Sequence, residues 1–297
     1  MASRPGGTPS HGSRFVGGAI AGSSAAIATY PLDLLRTRVM VGSPQTGVVS
    51  TFATAFAESS LYSGLSPTLV GLTLTWSIYF SAYDGAKAYA KDAFPSLTPD
   101  AIHMGSAVAA GILTDVVAAP IWVVKVRMQT QGMGGRSLAY PSITAAFRSI
   151  VANEGLKGLY KGLLPTLLGV SHVAIQFPVY ERLKEWLKKE DGGPLEAHKV
   201  MLASAFSKVL ASTATFPHER LRVYAQDNRG APLGLRNLVS KIWTEEGVLG
   251  FYRGMGVNLV RVVPSCVISF TIYELFMHYV GVWDDDLIPI IDAVVDE

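Results

Sequence analysis

Three short patterns place a proline, an acid and a base at helical spacing. They are Pro31-Leu-Asp33-Leu-Leu-Arg36-Thr-Arg38, Pro120-Ile-Trp122-Val-Val-Lys125-Val-Arg127 and Pro217-His-Glu219-Arg-Leu-Arg222, with their prolines 89 and 97 residues apart. Proline removes one backbone hydrogen bond and kinks a helix, and residues three apart share a helical face. Three kinked helices can therefore converge and pair the acid of one copy with the base of a neighbour. Burying such a pair nearly balances desolvation against attraction, so paired and separated states lie within about a few kcal/mol of each other. Trp122 takes the acidic place of the second copy and removes one pair. This is the chemistry of a latch, in which no covalent bond is made.

Other ionisable residues stand inside apolar stretches, where a charge is functional by default. Asp115 lies five residues before Pro120, Lys208 nine before Pro217, and Arg261 in the last apolar run. A guanidinium fork matches phosphate oxygens. Lys208 can bind phosphate or pair with Asp115. His172 and Gln176, four apart, can hydrogen-bond a base or ribose, or simply pack. Trp76 can stack on a flat aromatic ring, or pack. No Gly-x-x-x-x-Gly-Lys-Ser/Thr and no His-Glu-x-x-His occurs, and the single cysteine, Cys266, can form neither an intramolecular disulfide nor a cysteine-rich metal site. Cys266 reads as a small core residue. The expectation is a protein that is not an enzyme and holds neither metal nor cofactor.

The elements that position these residues belong to a membrane. Of the 297 residues only 16% are charged and 49% are hydrophobic, with 25 bases against 23 acids and a mean hydropathy of +0.31. Soluble domains carry about a quarter charged residues. Such a composition excludes a disordered chain and a nucleic-acid-binding domain with a dense basic surface. About 20 apolar residues span a bilayer as a helix. Six candidates emerge: 15–32 and 59–83 without Asp, Glu, Lys or Arg, 101–124 with Asp115, 162–180 with His172, 199–217 with Lys208, and 254–273 with Arg261. The N-terminal stretch carries Arg4, His11 and Arg14 and shows no signal-peptide cleavage pattern, so it reads as a flexible lead.

The runs form three repeats. After each motif come a polar loop and a short amphipathic stretch, then an aromatic-X-Gly element: Tyr62-Ser-Gly64, Tyr160-Lys-Gly162 and Tyr252-Arg-Gly254. Glu154-Gly155 and Glu246-Gly247 precede the second and third, whereas the contracted first copy offers Glu58-Ser59. Each second run ends in an aromatic-acid pair, Tyr83-Asp84, Tyr180-Glu181 and Tyr273-Glu274, followed by Lys87, Lys184 and, in the third copy, Met277.

With these motifs the chain resembles the mitochondrial carrier family from about Phe15 to Tyr279. The resemblance implies an all-α membrane protein with six transmembrane helices in three pseudo-three-fold repeats and short matrix-side amphipathic helices. The expected parts are a lead at 1–13, repeats at 14–95, 96–190 and 191–281, and an acidic tail at 282–297 that includes Asp284-Asp285-Asp286. It implies a matrix-side gate from Asp33, Arg36, Lys125, Glu219 and Arg222, and an outer gate from Asp84, Lys87, Glu181, Lys184 and Glu274. Substrate contacts carry over to Gly71 and Thr75 on the second span, Gly169, Val170 and Val173 on the fourth, and Arg261 and Ser265 on the sixth. Trp76, His172 and Lys208 join them as candidates.

Glycine followed by an aliphatic residue at the second contact point is similar to the pattern of carriers for nucleotides. Pro120-Ile-Trp122-Val-Val-Lys125 looks like the subgroup that moves NAD, pyrimidine nucleotides, FAD and folate. The stretch from Gly162 to Glu181, and Pro217-His218-Glu219, look most like the NAD carriers; FAD and folate carriers usually lack an acid where Glu219 stands. The resemblance thus implies a multi-pass protein of the mitochondrial inner membrane that exchanges NAD for an adenine nucleotide by alternating access. The alternatives are an FAD or folate carrier, a pyrimidine nucleotide carrier, or a non-transporting scaffold. Its expected partners are an anionic nucleotide and the lipid bilayer, with cardiolipin among the lipids; no nucleic acid is expected, and the three repeats suffice as a monomer.

Overall fold

The computed structural model describes residues 11–43, 45–133, 140–191, 197–229 and 234–279. Among these the chain forms α1 (His11–Val41), α2 (Val48–Ala57), α3 (Leu65–Ala93), α4 (Pro99–Gln129), α5 (Ile143–Glu154), α6 (Leu163–Leu167), α7 (Val170–Asp191), α8 (Ala197–Asp227), α9 (Leu235–Gly250) and α10 (Met255–Tyr279), with a 3-10 turn at Leu156–Tyr160. Pro31, Pro120 and Pro217 lie inside α1, α4 and α8 and do not end them. Thr98 caps α4 by accepting from the Ala101 N–H, with Pro99 at the first helical turn, and Ser142 caps α5 through the Ala145 N–H.

Among the described residues two helices are by length and composition apolar enough to cross a bilayer, Ala101–Gln129 and Met255–Tyr273, with mean hydropathies of 2.0 and 1.6. The remaining spans read from the sequence are rich in Gly, Ser and Thr, which dilute hydropathy without adding charge. The fourth of the six spans, 162–180, is not continuous. A break at Leu168 and Gly169 separates α6 from α7, where the Gly169 N–H turns back to the Thr166 carbonyl at 2.8 Å. The helix also begins earlier than the expected lead allows, at His11; residues 1–10 and the acidic tail lie outside the described residues.

The chain divides into two compact units. The smaller combines α1 as far as Thr29, Ser171–Thr215 and the chain from Leu259. In it Tyr180 and Ala203 pack with Leu183, Leu187 and Phe270, and Ala21 and Tyr273 pack with Ile272 and Phe276. The larger unit, Tyr30–Val170 and Phe216–Asn258, holds all three motifs. Each motif helix buries one face under its own short helix: Tyr30 and Leu34 with Ala55, Val123 and Val124 with Ala146 and Ile150, and Leu221 and Ala225 with Leu238 and Ile242.

Three glycines join the copies of the larger unit in a cycle. Gly64, Gly162 and Gly254 all take left-handed φ values, +88°, +81° and +90°, which L side chains disfavour. A Cβ on Gly64 would meet the Lys125 carbonyl at 3.2 Å and Gln129 Cγ at 3.1 Å; on Gly162, the Arg222 carbonyl and Gln226 Cγ, both at 2.9 Å; on Gly254, the Arg36 carbonyl at 3.3 Å and Met40 Cγ at 2.9 Å. Each repeat thus lays its aromatic-X-Gly turn on the motif of the next. Gly155 and Gly247 take φ of +69° and +67° after Glu154 and Glu246, and in the contracted copy Ser59 holds the same kind of turn at +52°.

Gly162→Ala is expected to cost about 3 kcal/mol, from the left-handed backbone and the overlap together. Gly132→Ala, at φ +82° but with Glu58 no nearer than 3.6 Å, should cost about 1 kcal/mol. Thermal unfolding of both purified variants checks the difference, and equal losses would remove close approach as the reason for glycine at 162.

Candidate functional site

The acids and bases of the three motifs meet in the larger unit. Lys125 Nζ stands 2.8 Å from Asp33 Oδ2, and the Arg36 guanidinium hydrogen-bonds Glu219. These side chains are mostly buried, with Glu219 the most exposed at 34%. Both pairs obey one cyclic rule: the acid of a copy meets the base of the next. The third place under that rule falls to Trp122 and Arg222. There the guanidinium carbon lies 6.0 Å from the indole centroid, and Lys125 Nζ lies 5.5 Å from the same ring. The negative face of an indole attracts cations, so Trp122 keeps a weaker attraction where a carboxylate would give a stronger one.

Beneath the pairs runs a layer of hydrogen bonds from uncharged donors. Gln129 donates from Nε2 to Asp33 Oδ2 at 2.9 Å and to the Tyr30 hydroxyl at 3.1 Å, and Tyr30 donates to the Ser63 carbonyl at 2.8 Å. Sequence reading missed Gln129 and Tyr30 as parts of the network. The signal was present, because a glutamine recurs nine residues after the motif proline at Gln129 and Gln226, with Met40 in the first copy.

Three buried arginines tie the short helices to the motif helices, and these too were missed as a set. Arg38 Nε donates to the Gln129 carbonyl at 2.9 Å, and its Nη1 reaches Glu58 at 3.1 Å. Arg127 repeats the arrangement with the Gln226 carbonyl at 3.0 Å and both oxygens of Glu154, which Lys161 also binds. In the third copy Tyr224 stands where Arg38 and Arg127 stand in theirs. Arg220, one turn earlier on α8, takes over: it reaches Glu246 at 2.7 Å and lies 5.2 Å from the Tyr224 ring.

The residues carried over as substrate contacts divide between the units. In the larger one Gly71 packs under Trp122, whose ring a Cβ would meet at 3.2 Å, and Gly169 packs beside His218 Nε2, also at 3.2 Å. The hydroxyl of Thr75 is buried without a hydrogen-bond partner among the described residues. Trp76 stacks on Phe80 with centroids 5.7 Å apart. In the smaller unit His172 Nδ1 is 3.0 Å from Thr215 Oγ1, whose own hydrogen goes to the Ala211 carbonyl at 2.8 Å; the imidazole therefore donates from Nδ1. Lys208, Arg261 and Ser265 are half-buried on α8 and α10. Cys266, expected in the core, is exposed. The side chains of Val170 and Val173 lie outside the described residues.

The residues carried over to an outer ring also divide. Asp84 and Glu181 are exposed. Lys87 lies 5.7 Å from the Tyr83 ring and Lys184 5.3 Å from the Tyr180 ring, each one turn along its own helix. The side chain of Glu274 lies outside the described residues.

Three copies of one motif set, closed on one another by a cyclic rule, match a known family. The profile of the mitochondrial carrier protein matches residues 7–94, 99–191 and 193–282. The chain belongs to the mitochondrial carrier family. It is 38% identical over 283 residues to the nicotinamide adenine dinucleotide transporter 2, mitochondrial, of Arabidopsis thaliana, covering 88% of this chain and 78% of that one. Identity is 39% over 281 residues with the nicotinamide adenine dinucleotide transporter 1, chloroplastic, of the same plant, covering 88% and 90%. With the mitochondrial nicotinamide adenine dinucleotide transporter 1 of Saccharomyces cerevisiae it is 35% over 282 residues, covering 88% and 75%. The protein is a membrane transporter.

Glu154 is held by two buried cations, Arg127 and Lys161. Burial pushes its carboxyl up, but hydrogen bonds and charges from Arg127 and Lys161 outweigh burial and hold it below the usual glutamate value. Its contribution is complete above the ordinary glutamate pKa and is lost as pH falls through the depressed one. Glu154→Gln should therefore cost about 3 to 5 kcal/mol at neutral pH, because Arg127 and Lys161 are left buried without their acid. Unfolding temperatures measured from pH 7 to pH 3 should converge for parent and variant at the acid end; a constant gap would show that the carboxylate charge is not what matters.

Proposed function

We propose that this carrier exchanges NAD for an adenine nucleotide across the mitochondrial inner membrane by alternating access. The observation that carries the substrate assignment is the likeness, over 88% of the chain, to proteins named as nicotinamide adenine dinucleotide transporters. The local chemistry agrees with it. Arg261 on α10 and Lys208 on α8 are the cations proposed to hold the pyrophosphate, whose oxygens a guanidinium fork fits. The Thr75 hydroxyl, without a hydrogen-bond partner among the described residues, suits a polar group on the ribose or base, since a buried hydroxyl left unpaired costs about 1 to 3 kcal/mol.

The gate is built from the motif pairs. Asp33–Lys125 and Glu219–Arg36 close one side, and opening that side requires both to separate. Substrate binding favours transport only to the extent that it is tightest in the occluded intermediate. Asp84, Lys87, Glu181, Lys184 and Glu274 form the gate of the other side. Glu219, which Arg36 engages, supports NAD over FAD or folate as the cargo, because the resemblance implies that FAD and folate carriers usually lack an acid at its place.

Liposomes containing the purified carrier and preloaded with AMP test the assignment. Labelled NAD should enter at least about tenfold above a heat-inactivated control, and faster than FAD, folate or UTP, while Arg261→Ala should lower NAD uptake by about tenfold or more, the loss of one charge-assisted contact. Uptake of FAD or folate alone would move the protein to those relatives. Parental NAD uptake by Arg261→Ala would remove Arg261 from phosphate binding, and no uptake of any nucleotide would favour a scaffold.

A further inference from the structure

The acid that precedes each positive-φ turn is held differently in the first repeat. Glu154 is gripped by Arg127, with Nη2 at 2.8 Å, and by Lys161, seven residues on. Glu246 is gripped by Arg220 at 2.7 Å and by Arg253, also seven residues on, at 3.5 Å. Two cations thus share one carboxylate, and both acids are only 9% exposed. Glu58 has one cation among the described residues, Arg38 at 3.1 Å, and is 38% exposed. Its turn is two residues shorter, and Ser63 stands where Lys161 and Arg253 stand in the other aromatic-X-Gly elements. The Ser63 hydroxyl is engaged elsewhere: it donates to the Met128 carbonyl at 2.6 Å and accepts from Gln131 Nε2 at 2.6 Å. The contacts on the Glu58 carboxylate, from Arg38 Nη1 and from Ser60 Oγ at 3.3 Å, both fall on Oε2, so Oε1 has no hydrogen bond among the described residues.

A cavity of about 320 Å³ lies against Glu58, between the end of α1, α2 and the Gly132–Met133 turn after α4. Gly132 passes the carboxylate without a side chain, and even a Cβ there would stand 3.8 Å from Oε1. The hydroxyls of the residues that line the cavity are acceptors. Thr46 Oγ1 donates to the Ser43 carbonyl at 2.7 Å, Ser50 and Thr51 to the Gly47 carbonyl at 2.9 Å, and Thr54 to the Ser50 carbonyl at 2.9 Å, so each has spent its hydrogen and keeps its lone pairs. Hydroxyl oxygens beside a half-satisfied carboxylate select a ligand that is positive and carries N–H donors. One carboxylate is too few for a divalent metal ion such as calcium, which asks for about six oxygens or more. The charge of Arg38 is no bar, since Glu154 and Glu246 each accommodate two cations.

We propose that this cavity binds a small organic cation with a primary ammonium head, which plays beside Glu58 the part that Lys161 plays beside Glu154. The ammonium gains a charge-assisted hydrogen bond from Oε1 and further acceptors from the hydroxyls. Val41 and Met133 line the same space and offer apolar surface to a short alkyl chain. The volume stands at the small end of ligand cavities, about 300 to 1,000 Å³, and so fits a short alkylamine. Because α1, α2 and the turn after α4 share its wall, a bound amine fastens the first repeat to the second.

This site is independent of the cargo, and it is tested without nucleotide. Thermal unfolding of the full-length carrier in detergent is followed in butylammonium chloride at about 20 mM and in tetramethylammonium chloride at the same concentration, a cation of equal charge with no N–H donor. Butylammonium should raise the unfolding temperature by at least about 2 °C over tetramethylammonium. Glu58→Gln should erase that difference. Thr54→Lys places an ammonium on exposed α2 surface one turn before Glu58, so it should unfold above the parent without amine and show no further rise with it; this variant carries the test where Glu58→Gln does not fold. Equal effects of the two cations on the parent, or a butylammonium rise that survives in either variant, would overturn the site.

Discussion

The larger unit depends on three glycines that let one backbone touch another. Gly64, Gly162 and Gly254 each bring a left-handed turn onto the carbonyl of the base in the next motif, and the three contacts close a circle. Helices brought this near can pair short acids and long bases from separate repeats, and the pairs inherit the circular order of the glycines. Repeat 1 meets repeat 2 at Asp33–Lys125, and repeat 3 meets repeat 1 at Glu219–Arg36. Without the close approach the same charges would be isolated in a low-dielectric interior, at a cost of several kcal/mol each.

Around that circle the three repeats solve one problem with different residues. The acid before each positive-φ turn is always bound by an arginine. In two copies that arginine sits seven residues after the motif proline, and in the third Arg220 approaches from one turn earlier while Tyr224 fills the vacated place. Ser59 accepts a backbone conformation for which its counterparts use Gly155 and Gly247. What recurs is the geometry of an arginine across a turn. The position of the arginine along its helix is free to move by one turn.

Most of this architecture was legible because it is periodic. The prolines, the acid-base spacing and the aromatic-X-Gly elements each recur three times, and recurrence separates a motif from chance better than composition does. Hydropathy alone was the weaker guide: among the described residues two helices pass a test of length and apolarity. The break at Gly169 was not legible, as nothing in Leu167-Leu168-Gly169-Val170 marks a helix end except a glycine, which helices tolerate. The part of Gln129 and the bond between Arg127 and the Gln226 carbonyl were hidden for another reason. They join residues about a hundred positions apart, and no local pattern announces a partner at that distance.

Gly71 and Gly169 add a consequence of volume. Each leaves a hollow that a ring from a neighbouring motif fills, Trp122 in one case and His218 in the other. Both rings belong to helices whose charges are paired, so the hollows are filled while the pairs are made. A flat aromatic guest lodged in either hollow would have to displace the indole or the imidazole, and with it the helix that carries the charges. Molecules shaped like a nucleobase but lacking phosphates would therefore act as wedges: they would hold the charged ring apart by bulk alone, with an affinity nearly insensitive to salt.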